Sequence, residues 1–449
     1  MDSSRLFDPL FGSEAMGALF SDSAHVQALL DFEAALARAE ASVGVIPSTA
    51  GPAIAASCHV EYIDLGALAQ AARGAGNLAI PLVKQLTERV MEQASAAAPY
   101  VHWGATSQDV IDSGLMLQLR SAVGVLETTL ARLRAALVAL VQRHRRTVMA
   151  GRTFLQHAVP TTLGLKAAGW LGAVERDLAR LQTLRPRVLC LQFGGAAGNL
   201  SALREHGLAV AEALARELGL GLPELPWHGQ RDRIAELGST LAITIGSLGK
   251  LARDISLLMQ SELAEAREPS TPGRAGSSTM PHKQNPLGCT VALAAATRAP
   301  GLVSTLLTAL LQEHERGVGG WHAEWQTLPT LCCLAGGAAE AMVSVVEGLE
   351  VDAQRMRENL TATRGAIYAE AVAMALAPEL GKAAAHRLLE RCTRTAHERG
   401  QELLVVLSTE QEVRALLDDA ELAALFDPER SLGSNDALIE RALAAQARR

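Results

Sequence analysis

Residues 115–140 carry an apolar side chain at every third or fourth position, and no proline interrupts them. This spacing places the apolar side chains on one face of a single α-helix. A helix of that length extends about 40 Å at 1.5 Å per residue, so it buries its apolar face by packing side by side with similar helices. The stripe consists of Leu115, Leu119, Val123, Leu126, Leu130, Leu133, Leu137 and Leu140.

Four more stretches of the chain predict long helices. Apolar stripes run through 171–184 and 234–258, and helical patterns follow at 286–315 and 328–360. The composition agrees, since 49% of the residues are hydrophobic and only 3% are aromatic, and Ala and Leu favour helices. We predict an all-α protein with a central bundle of about five long helices.

Shorter helices separated by Gly and Pro lie on both sides of this bundle. Near the start, Ser21 is a suitable N-cap for a helix that Gly44 ends. The domain plan is a small helical domain at 1–111, the bundle at 112–360 and a second small helical domain at 361–449.

The bundle helices are also apolar on faces away from their main stripes, as in LAITIGSLGKL at 241–251. A helix that is apolar nearly all round needs partners on every side. We therefore expect a homo-oligomer that buries bundle against bundle, and a large monomer core is the alternative.

The charge distribution and the cysteines indicate which partners and which cell compartment to expect. The formal charge is −7 and no long run of one sign occurs, so neither nucleic acid nor an anionic membrane is an expected partner. The start shows no signal peptide, and no charge-free apolar run reaches the roughly 20 residues that span a bilayer. None of the six cysteines forms a Cys-x-x-Cys pair. Buried free thiols in the cytoplasm are therefore expected, with a disulfide framework or a zinc site as the alternative.

A first polar cluster, VHWGATSQD at 101–109, stands where the first long helix begins. Ser107 and Asp109 would serve as helix caps, which is a common use of such residues. Caps do not require His102 and Thr106 as well. Hydroxyl and free N–H groups at a helix N-terminus also favour a carboxylate, so an anion seat is the second interpretation.

A second cluster, GRTFLQHAVPTTLG at 151–164, precedes the second long helix. Gln156 and His157 lie just ahead of Pro160, which we expect at the first position of that helix. A lone histidine is more often structural than catalytic. A histidine beside a glutamine at the start of a helix is a better candidate.

Three further polar segments interrupt the apolar pattern. QEHERGVGGWHAEW at 312–325 ends the fourth predicted helix, where Arg316 is either part of an exposed ion-pair surface or a ligand-binding cation. WHGQRDR at 227–233 begins the third stripe and contains Gln230. GGAAGN at 194–199 lacks both the Lys-Ser/Thr and the preceding strand of a phosphate loop, so we interpret it as a helix break.

The segment GSSTMPHKQNP at 276–286 fits the signature GSSxMPxKxNP, and the chain thereby resembles the fumarase/aspartase superfamily. GATSQD and GRTFLQHAVP fall, in the same order, where that superfamily has its other two signature regions. The resemblance covers essentially the whole chain. It implies a homotetramer with a twenty-helix core and active sites built from three subunits. It also implies reversible addition or elimination next to a carboxylate, with fixed donors stabilising the extra negative charge.

The resemblance also implies roles for individual residues. A loop bounded by Gly and Pro would close over the substrate, bringing Ser277 to the proton and Lys283 and Asn285 to the carboxylate. His157 and His102 are the alternative proton-transfer groups, because histidine titrates nearest neutral pH. The remaining substrate-binding candidates are Thr106, Ser107, Gln156, Gln230 and Arg316.

One residue departs from the superfamily pattern and indicates which branch of the superfamily the chain resembles. Most members have Thr-His in the second region, whereas this chain has Phe154 after Thr153. Because phenylalanine cannot transfer a proton, fumarases and argininosuccinate or adenylosuccinate lyases are disfavoured. An aromatic residue here resembles the cycloisomerase branch, which lactonises carboxymuconates. An adenylosuccinate-type lyase, a cycloisomerase for a sulfonated muconate and a non-enzymatic descendant stay open as alternatives.

The expected substrate is therefore a small tricarboxylate. We expect neither a metal nor an organic cofactor, because no His, Asp and Glu cluster has ligand spacing and addition to an activated double bond needs neither. Which group transfers the proton, and the stereochemistry of the lactone, stay open at this point.

Overall fold

The computed structural model describes residues 6–269, 280 and 283–446. The described residues are mainly α-helical. The helices are α1 Asp8–Phe11, α2 Glu14–Leu19, α3 Asp22–Val43, α4 Ala50–Ala55, α5 Leu65–Ala75, α6 Ala79–Ala94, α7 Ser107–Arg143, α8 Leu163–Val188, α9 Gly207–Leu218, α10 Asp232–Leu258, α11 Leu287–Thr308, α12 Gly320–Glu347, α13 Ala353–Asn359, α14 Ala369–Leu380, α15 Lys382–Arg399, α16 Leu403–Leu407, α17 Gln411–Arg414, α18 Asp419–Ala424 and α19 Asn435–Gln446. The strands are β1 Val148–Thr153, β2 Gln156–Thr162, β3 Ala266–Arg267 and β4 Glu350–Val351.

The five predicted long helices correspond to α7, α8, α10, α11 and α12. Every residue of the α7 stripe, from Leu115 to Leu140, is buried, and the stripes of α8 and α10 are buried in the same way. The all-α prediction is confirmed. The first helix is also confirmed, since Ser21 accepts a hydrogen bond from the Ala24 amide and α3 ends at the left-handed Gly44.

The bounds of two long helices differ from the prediction. The fourth helix was expected to reach Glu315, but α11 ends at Thr308, so 312–319 form a loop. The fifth helix begins at Gly320, a full two turns earlier than expected, and carries Pro329 in its interior. Pro329 is the tenth residue of α12, beyond the first turn, so α12 continues through it at the cost of one backbone hydrogen bond.

The chain divides into two compact units. Unit 1 comprises Met1–Leu130, Asp177–Gly249 and Val291–Glu340, and unit 2 comprises Ala131–Arg176, Lys250–Thr290 and Ala341–Arg449. The division falls within the long helices, so each unit holds a part of every one of them. The three-domain plan with boundaries after residues 111 and 360 stays a prediction.

In unit 1, the long helices approach one another closely. A side chain at Gly238 of α10 would place its Cβ 2.2 Å from Leu306 of α11, so only glycine fits there. Elsewhere in unit 1, α3 packs against α4 and α9. The N-terminal helices and the long helices thus form one apolar core, which fixes the position of the α7 N-terminus.

In unit 2, GRTFLQHAVP forms an antiparallel hairpin of β1 and β2, in which Arg152 pairs with His157 and Thr153 with Gln156. The expectation that Pro160 begins the second long helix is wrong. Pro160 lies within β2 opposite Ala150, and α8 begins at Leu163. Within the described part of the chain the two strands pair only with each other, so this proline lies on an edge strand, where it is tolerated.

Helices α11 and α12 are long and apolar enough to cross a membrane by length and composition alone. In the most apolar part of α12, 67% of the residues are buried, as expected for a core helix of a water-soluble protein. In α11 that share is only 22%. Few residues in the most apolar part of α11 are therefore fully buried within the described chain.

All six cysteines are free thiols, and all are buried except Cys333, which is half-buried. The predicted buried free thiols are confirmed. Burial raises the pKa of the Cys58, Cys289 and Cys332 thiols, so these side chains stay protonated at neutral pH.

Candidate active site

The first polar cluster surrounds the N-terminus of α7. Thr106 is the N-cap position, Ser107 is the first helical residue, and the Asp109 carboxylate accepts a hydrogen bond from the Thr106 amide at 3.0 Å. This is the backward half of a capping box. The capping interpretation of Asp109 is therefore confirmed. The half-buried Thr106 and Ser107 lie beside it.

Asp109 also holds a distant loop. Its carboxylate accepts hydrogen bonds from the Gly194 and Gly195 amides at 3.0 and 2.9 Å, and His228 Nε2 lies 2.7 Å from Oδ1. Gly195 has a φ of 67° and lies so close to the Gly104 carbonyl that a Cβ would be 3.0 Å from it. GGAAGN is thus a loop rather than a phosphate site, because its first two amides already bind a carboxylate.

Arg316 points its guanidinium at this same helix end. Its Nη2 donates to the Thr106 hydroxyl at 3.1 Å, and its Nε donates to the Gln108 side-chain carbonyl at 3.1 Å. Nη2 also lies 3.2 Å from the Ala196 carbonyl oxygen. These acceptors are all neutral, and no carboxylate of the described residues forms an ion pair with Arg316. Arg316 is therefore a half-buried cation whose charge is not neutralised, which disfavours the exposed ion-pair interpretation.

A buried ion cluster lies behind Arg316. Arg231 donates to Asp112 at 2.7 and 3.0 Å and to Glu324 at 3.0 Å, and Trp321 Nε1 donates to Asp112 at 3.0 Å. Nearby carboxylates raise the pKa of Arg231 although burial opposes this, so the guanidinium stays charged. The cluster is a rigid support for the N-termini of the long helices.

Gln108 connects the two arginines. Its amide nitrogen donates to Asp112 at 3.2 Å and to the His228 carbonyl at 3.0 Å, while its oxygen accepts from Arg316. The side chain is fully buried, so its orientation is fixed by these three hydrogen bonds. Sequence reasoning missed Gln108 and Arg231. The only available signal was their position within the polar segments GATSQD and WHGQRDR.

His102 lies in the turn before α7, with Nδ1 2.6 Å from the buried Glu33 carboxylate of α3. Burial lowers the pKa of His102, but the charge and hydrogen bond of Glu33, helped by Asp109, outweigh it and raise the pKa above its ordinary value. Gln230 is exposed on the neighbouring loop, where Gly229 contacts the His314 carbonyl. Unit 1 thus brings His102, Thr106, Ser107, Gln230 and Arg316 to adjoining loops.

The second cluster belongs to unit 2. Gln156 is exposed, His157 is half-buried, and the two residues between the strands, Phe154 and Leu155, have φ values of 50° and 64°. Left-handed backbone is unfavourable for such residues by roughly 1–2 kcal/mol each. Phe154 is nevertheless 100% exposed and Leu155 is 77% exposed. A two-residue hairpin turn commonly needs positive φ at both positions, so the turn geometry accounts for this backbone, and only the exposure of two apolar side chains is left to explain.

His157 differs from His102 in its electrostatic surroundings. Burial and the neighbouring Arg152 lower the pKa of His157, and the more distant charge of Glu265 only partly opposes them. Its Nδ1 is buried and has no hydrogen-bond partner among the described residues. Arg152 donates two hydrogen bonds to Glu265, at 2.6 and 2.9 Å, so this arginine is neutralised.

The signature segment GSSTMPHKQNP is only partly described. Ser277 lies outside the described residues. Lys283 is exposed and Asn285 is half-buried, just ahead of α11. In the first turn of α11, the Gly288 and Cys289 amides donate to the Glu268 carboxylate at 2.9 and 2.8 Å. The α11 N-terminus is therefore already occupied by an acid that sequence reasoning did not identify.

A cavity described in unit 1 lies away from these clusters. It has a volume of about 850 Å³ and is lined by N-terminal residues from Phe7 to Ser21 and by Arg298, Pro329 and Cys333. None of the predicted site residues lines it. Among the described residues, no group of three His, Cys, Asp or Glu side chains is placed to hold a metal ion.

Comparison with known proteins gives matches along nearly the whole chain. A lyase family model matches residues 12–301, and a model of the adenylosuccinate lyase C-terminus matches residues 365–442. The 3-carboxy-cis,cis-muconate cycloisomerase of Pseudomonas aeruginosa is 57% identical over 440 residues, covering 98% of this chain and 96% of that protein. The enzyme of the same name from Bradyrhizobium diazoefficiens is 52% identical, covering 98% of both proteins.

A solved structure agrees with these relatives. The crystal structure of 3-carboxy-cis,cis-muconate lactonizing enzyme from Pseudomonas putida superposes with a TM-score of 0.94 at 52% sequence identity. The match covers 99% of each chain. The likeness therefore extends over the helices that carry all the described site candidates.

Proposed function

The chain belongs to the fumarase/aspartase superfamily of lyases, and from that membership we propose that it lactonises 3-carboxy-cis,cis-muconate to a carboxymuconolactone. The reaction is a reversible internal addition, in which one substrate carboxylate attacks a double bond. It belongs to protocatechuate breakdown through the β-ketoadipate route. The relatives that bear this activity in their names match this chain over nearly its full length.

One observation carries the choice of reaction: Phe154 stands, fully exposed, at the hairpin turn where most of the superfamily has a histidine. An elimination that releases hydroxide or an amine benefits from a general acid at this place. A carboxylate is a good leaving group and needs none. The aromatic side chain therefore favours lactonisation, in which only one proton moves.

The substrate's three carboxylates need several donors. We assign Arg316 as the main clamp, because it is held in place by Thr106 and Gln108 and its charge is not neutralised. A guanidinium binds a carboxylate through two parallel hydrogen bonds. His102, Thr106, Ser107, Gln156, Gln230 and Asn285 are the further binding candidates.

Ser277 is our first choice for the proton transfer, on the basis of the signature in the sequence. A serine hydroxyl is ordinarily protonated at pH 7, so backbone N–H groups and Lys283 would stabilise its alkoxide. His157 is the alternative. The lowered pKa of His157 keeps it neutral at pH 7, which suits a base.

We further propose that the protein is a homotetramer whose active sites combine residues from three subunits. Two observations support this assembly. Few residues in the most apolar part of α11 are fully buried within one chain, and Phe154 and Leu155 expose large apolar side chains at the hairpin turn. The buried free thiols are typical of a protein of the reducing cytoplasm.

The direct test follows the diene absorbance of 3-carboxy-cis,cis-muconate with purified protein at micromolar concentration. We expect the absorbance to fall and a lactone to form. Parallel reactions with a sulfonated muconate and with adenylosuccinate separate the alternatives. No loss of the diene would refute the proposal.

A lyase of the adenylosuccinate type is the second candidate, since residues 365–442 match the C-terminal model of that enzyme. Release of fumarate from adenylosuccinate would establish it. Phe154 argues against this outcome, because release of an amine calls for a proton donor.

A further inference from the structure

His102 is held in an unfavourable backbone conformation by a single buried partner. Its φ is 57°, in the left-handed region that most side chains avoid. The residue follows a short 3₁₀ turn, Ala98–Tyr100, and leads into α7. Such strain persists where the surroundings fix it, and the contact of Nδ1 with Glu33 at 2.6 Å is the strongest contact that this ring makes.

Among the described residues, Glu33 forms an ion pair with His102 and with no lysine or arginine. It lies in the middle of α3, 1% exposed, and its second oxygen has no hydrogen-bond partner there. A buried carboxylate that is ionised requires a positive partner. His102 is the one titratable cation in contact with it.

The other charged groups around His102 already have partners. Asp109, on α7, is bound by the Gly194 and Gly195 amides and by His228. Arg316 donates to the Thr106 hydroxyl and makes no hydrogen bond to His102 among the described residues. The direct control of the His102 charge therefore rests with Glu33 on α3.

Glu40 shows what happens to an acid in the same helix without such a partner. It lies seven residues after Glu33, is 0% exposed, and neither of its oxygens has a hydrogen-bond partner among the described residues. Burial, helped by the charge of Glu33, raises the pKa of Glu40 to about 9, so it is uncharged at neutral pH. Glu33 and Glu40 are both buried on α3, and they differ in that, within the described part of the chain, only Glu33 pairs with a histidine.

His102 keeps one ring nitrogen for a ligand. Nδ1 is engaged by Glu33, whereas Nε2 makes no hydrogen bond to the described residues, and the side chain remains 18% exposed. A protonated imidazole donates from both nitrogens. With Nδ1–H directed at Glu33, Nε2–H is a charged donor with a fixed direction.

We propose that Glu33 is a positioning residue that keeps His102 as an imidazolium, so that Nε2–H binds a substrate carboxylate as a fixed cation. The inference rests on the proposed function for the identity of the anion. It assigns His102 to binding rather than to proton transfer, because Nε2–H is then directed at a substrate carboxylate instead of at the reacting carbon. The site would then hold a polyanion between two cations in unit 1, His102 and Arg316.

The test compares Glu33→Gln with Glu40→Gln. Both replace a buried carboxyl group by an amide of nearly the same shape, and Glu40→Gln mimics the uncharged form that Glu40 already has. The charge of His102 is read from the pH dependence of hydrogen–deuterium exchange at its Cε1, followed by mass spectrometry of the peptide that contains it. The Michaelis constant and the pH profile of kcat/KM are measured on the same proteins.

We expect Glu33→Gln to lower the His102 midpoint by at least one pH unit. It should raise KM about tenfold with little change in kcat, and move the alkaline fall of kcat/KM to lower pH. Glu40→Gln should move none of these. Equal midpoints in the two variants would overturn the proposal. So would a wild-type midpoint at or below the ordinary value of 6.5, which needs no variant at all.

The two claims fail separately. If the protein does not act on carboxymuconate, the exchange measurement still decides the charge of His102. If the wild-type protein forms the lactone but Glu33→Gln changes neither the His102 titration midpoint nor KM, only the proposed role of Glu33 is refuted. A merely structural role would lower stability without moving the pH profile.

Discussion

His102 in unit 1 and His157 in unit 2 occupy similar places in the sequence, but their surroundings shift their pKa values in opposite directions. Each stands in a polar cluster just ahead of a long helix, and each is at least partly buried. His102 faces the carboxylate of Glu33, which raises its pKa, whereas burial and Arg152 lower the pKa of His157. The same residue type therefore binds its proton more tightly in one unit than in the other.

The arginines of the two clusters also differ, since the arginine of unit 2 is paired with a carboxylate and the arginine of unit 1 has no such partner within the described chain. Arg152 is paired with the buried Glu265, so its charge is used inside unit 2. Arg316 binds only neutral acceptors among the described residues, so its charge remains for a ligand. This difference supports the proposal that the unit 1 cluster holds an anion, whereas the charge of Arg152 in the unit 2 hairpin is already paired. Local charge partners, rather than residue type, decide which role a side chain takes.

The largest expected effect concerns the transfer of the single proton, for which Ser277 is our first choice. We expect Ser277→Ala to lower kcat by roughly 100- to 10,000-fold, the usual contribution of general acid–base catalysis. His157→Gln should lower kcat less than about tenfold. Turnover numbers are measured with each variant's unfolding midpoint as the check on folding. The reverse ranking would make His157 the proton-transfer residue.

Removing Arg152 tests whether its charge is structural. Arg152→Ala leaves Glu265 buried without its cation, so we expect a loss of about 3 kcal/mol in the free energy of unfolding. Arg146→Ala is the matched control, because Arg146 pairs with Asp436 at the surface and should change stability by less than about 1 kcal/mol. Urea unfolding of both variants measures the difference. Equal stabilities would mean that Arg152 is not neutralised as described.

Removing Arg316 should affect binding instead of stability. A charge-assisted hydrogen bond contributes about 1.5–3 kcal/mol, so Arg316→Ala should raise KM roughly 10- to 100-fold with a small change in unfolding. Arg120→Ala is the control, since Arg120 lies farther along α7 and donates to the Leu218 carbonyl. Steady-state kinetics with both variants give the comparison. An unchanged KM would show that Arg316 does not bind the substrate, and the exposed-surface interpretation would then apply.

The smallest effect is expected at the hairpin turn. Phe154→His restores the side chain common in the superfamily, and histidine tolerates left-handed backbone better than phenylalanine does. Because a carboxylate leaving group needs no acid, kcat for lactonisation should stay within about twofold. Leu155→His serves as the control for adding an imidazole beside this position. A gain of tenfold in the first variant alone would show that a proton donor was limiting.

Periodicity predicted the parts of the fold that depend on local sequence. The α7 stripe and the cap at Ser21 were both identified, because a repeat of three and four residues and an N-cap hydroxyl act within a few turns of helix. Pro160 was misplaced for a related reason. Its position suits both a helix start and an edge strand, and the pairing of β1 with β2 decided between them.

The partners of the site residues were not predictable in the same way. Glu33 lies 69 residues from His102, and Asp109 lies 85 residues from Gly194. Contacts at such separations depend on how helices pack, which periodicity alone does not specify. A signal for Glu33 existed, because an acid that falls on the buried face of an apolar helix requires a partner. The candidates in the first cluster were named from the sequence, but their charge states required the structure.

The most direct test of this account is the site-resolved titration of His102 and His157 in the resting wild-type protein, by exchange at the imidazole Cε1. The account predicts a His102 midpoint above 6.5 and a His157 midpoint below it. Between the two midpoints, His102 is then charged while His157 is neutral. Coincident midpoints, or the reverse order, would contradict the division into an anion-holding cluster and a neutral hairpin.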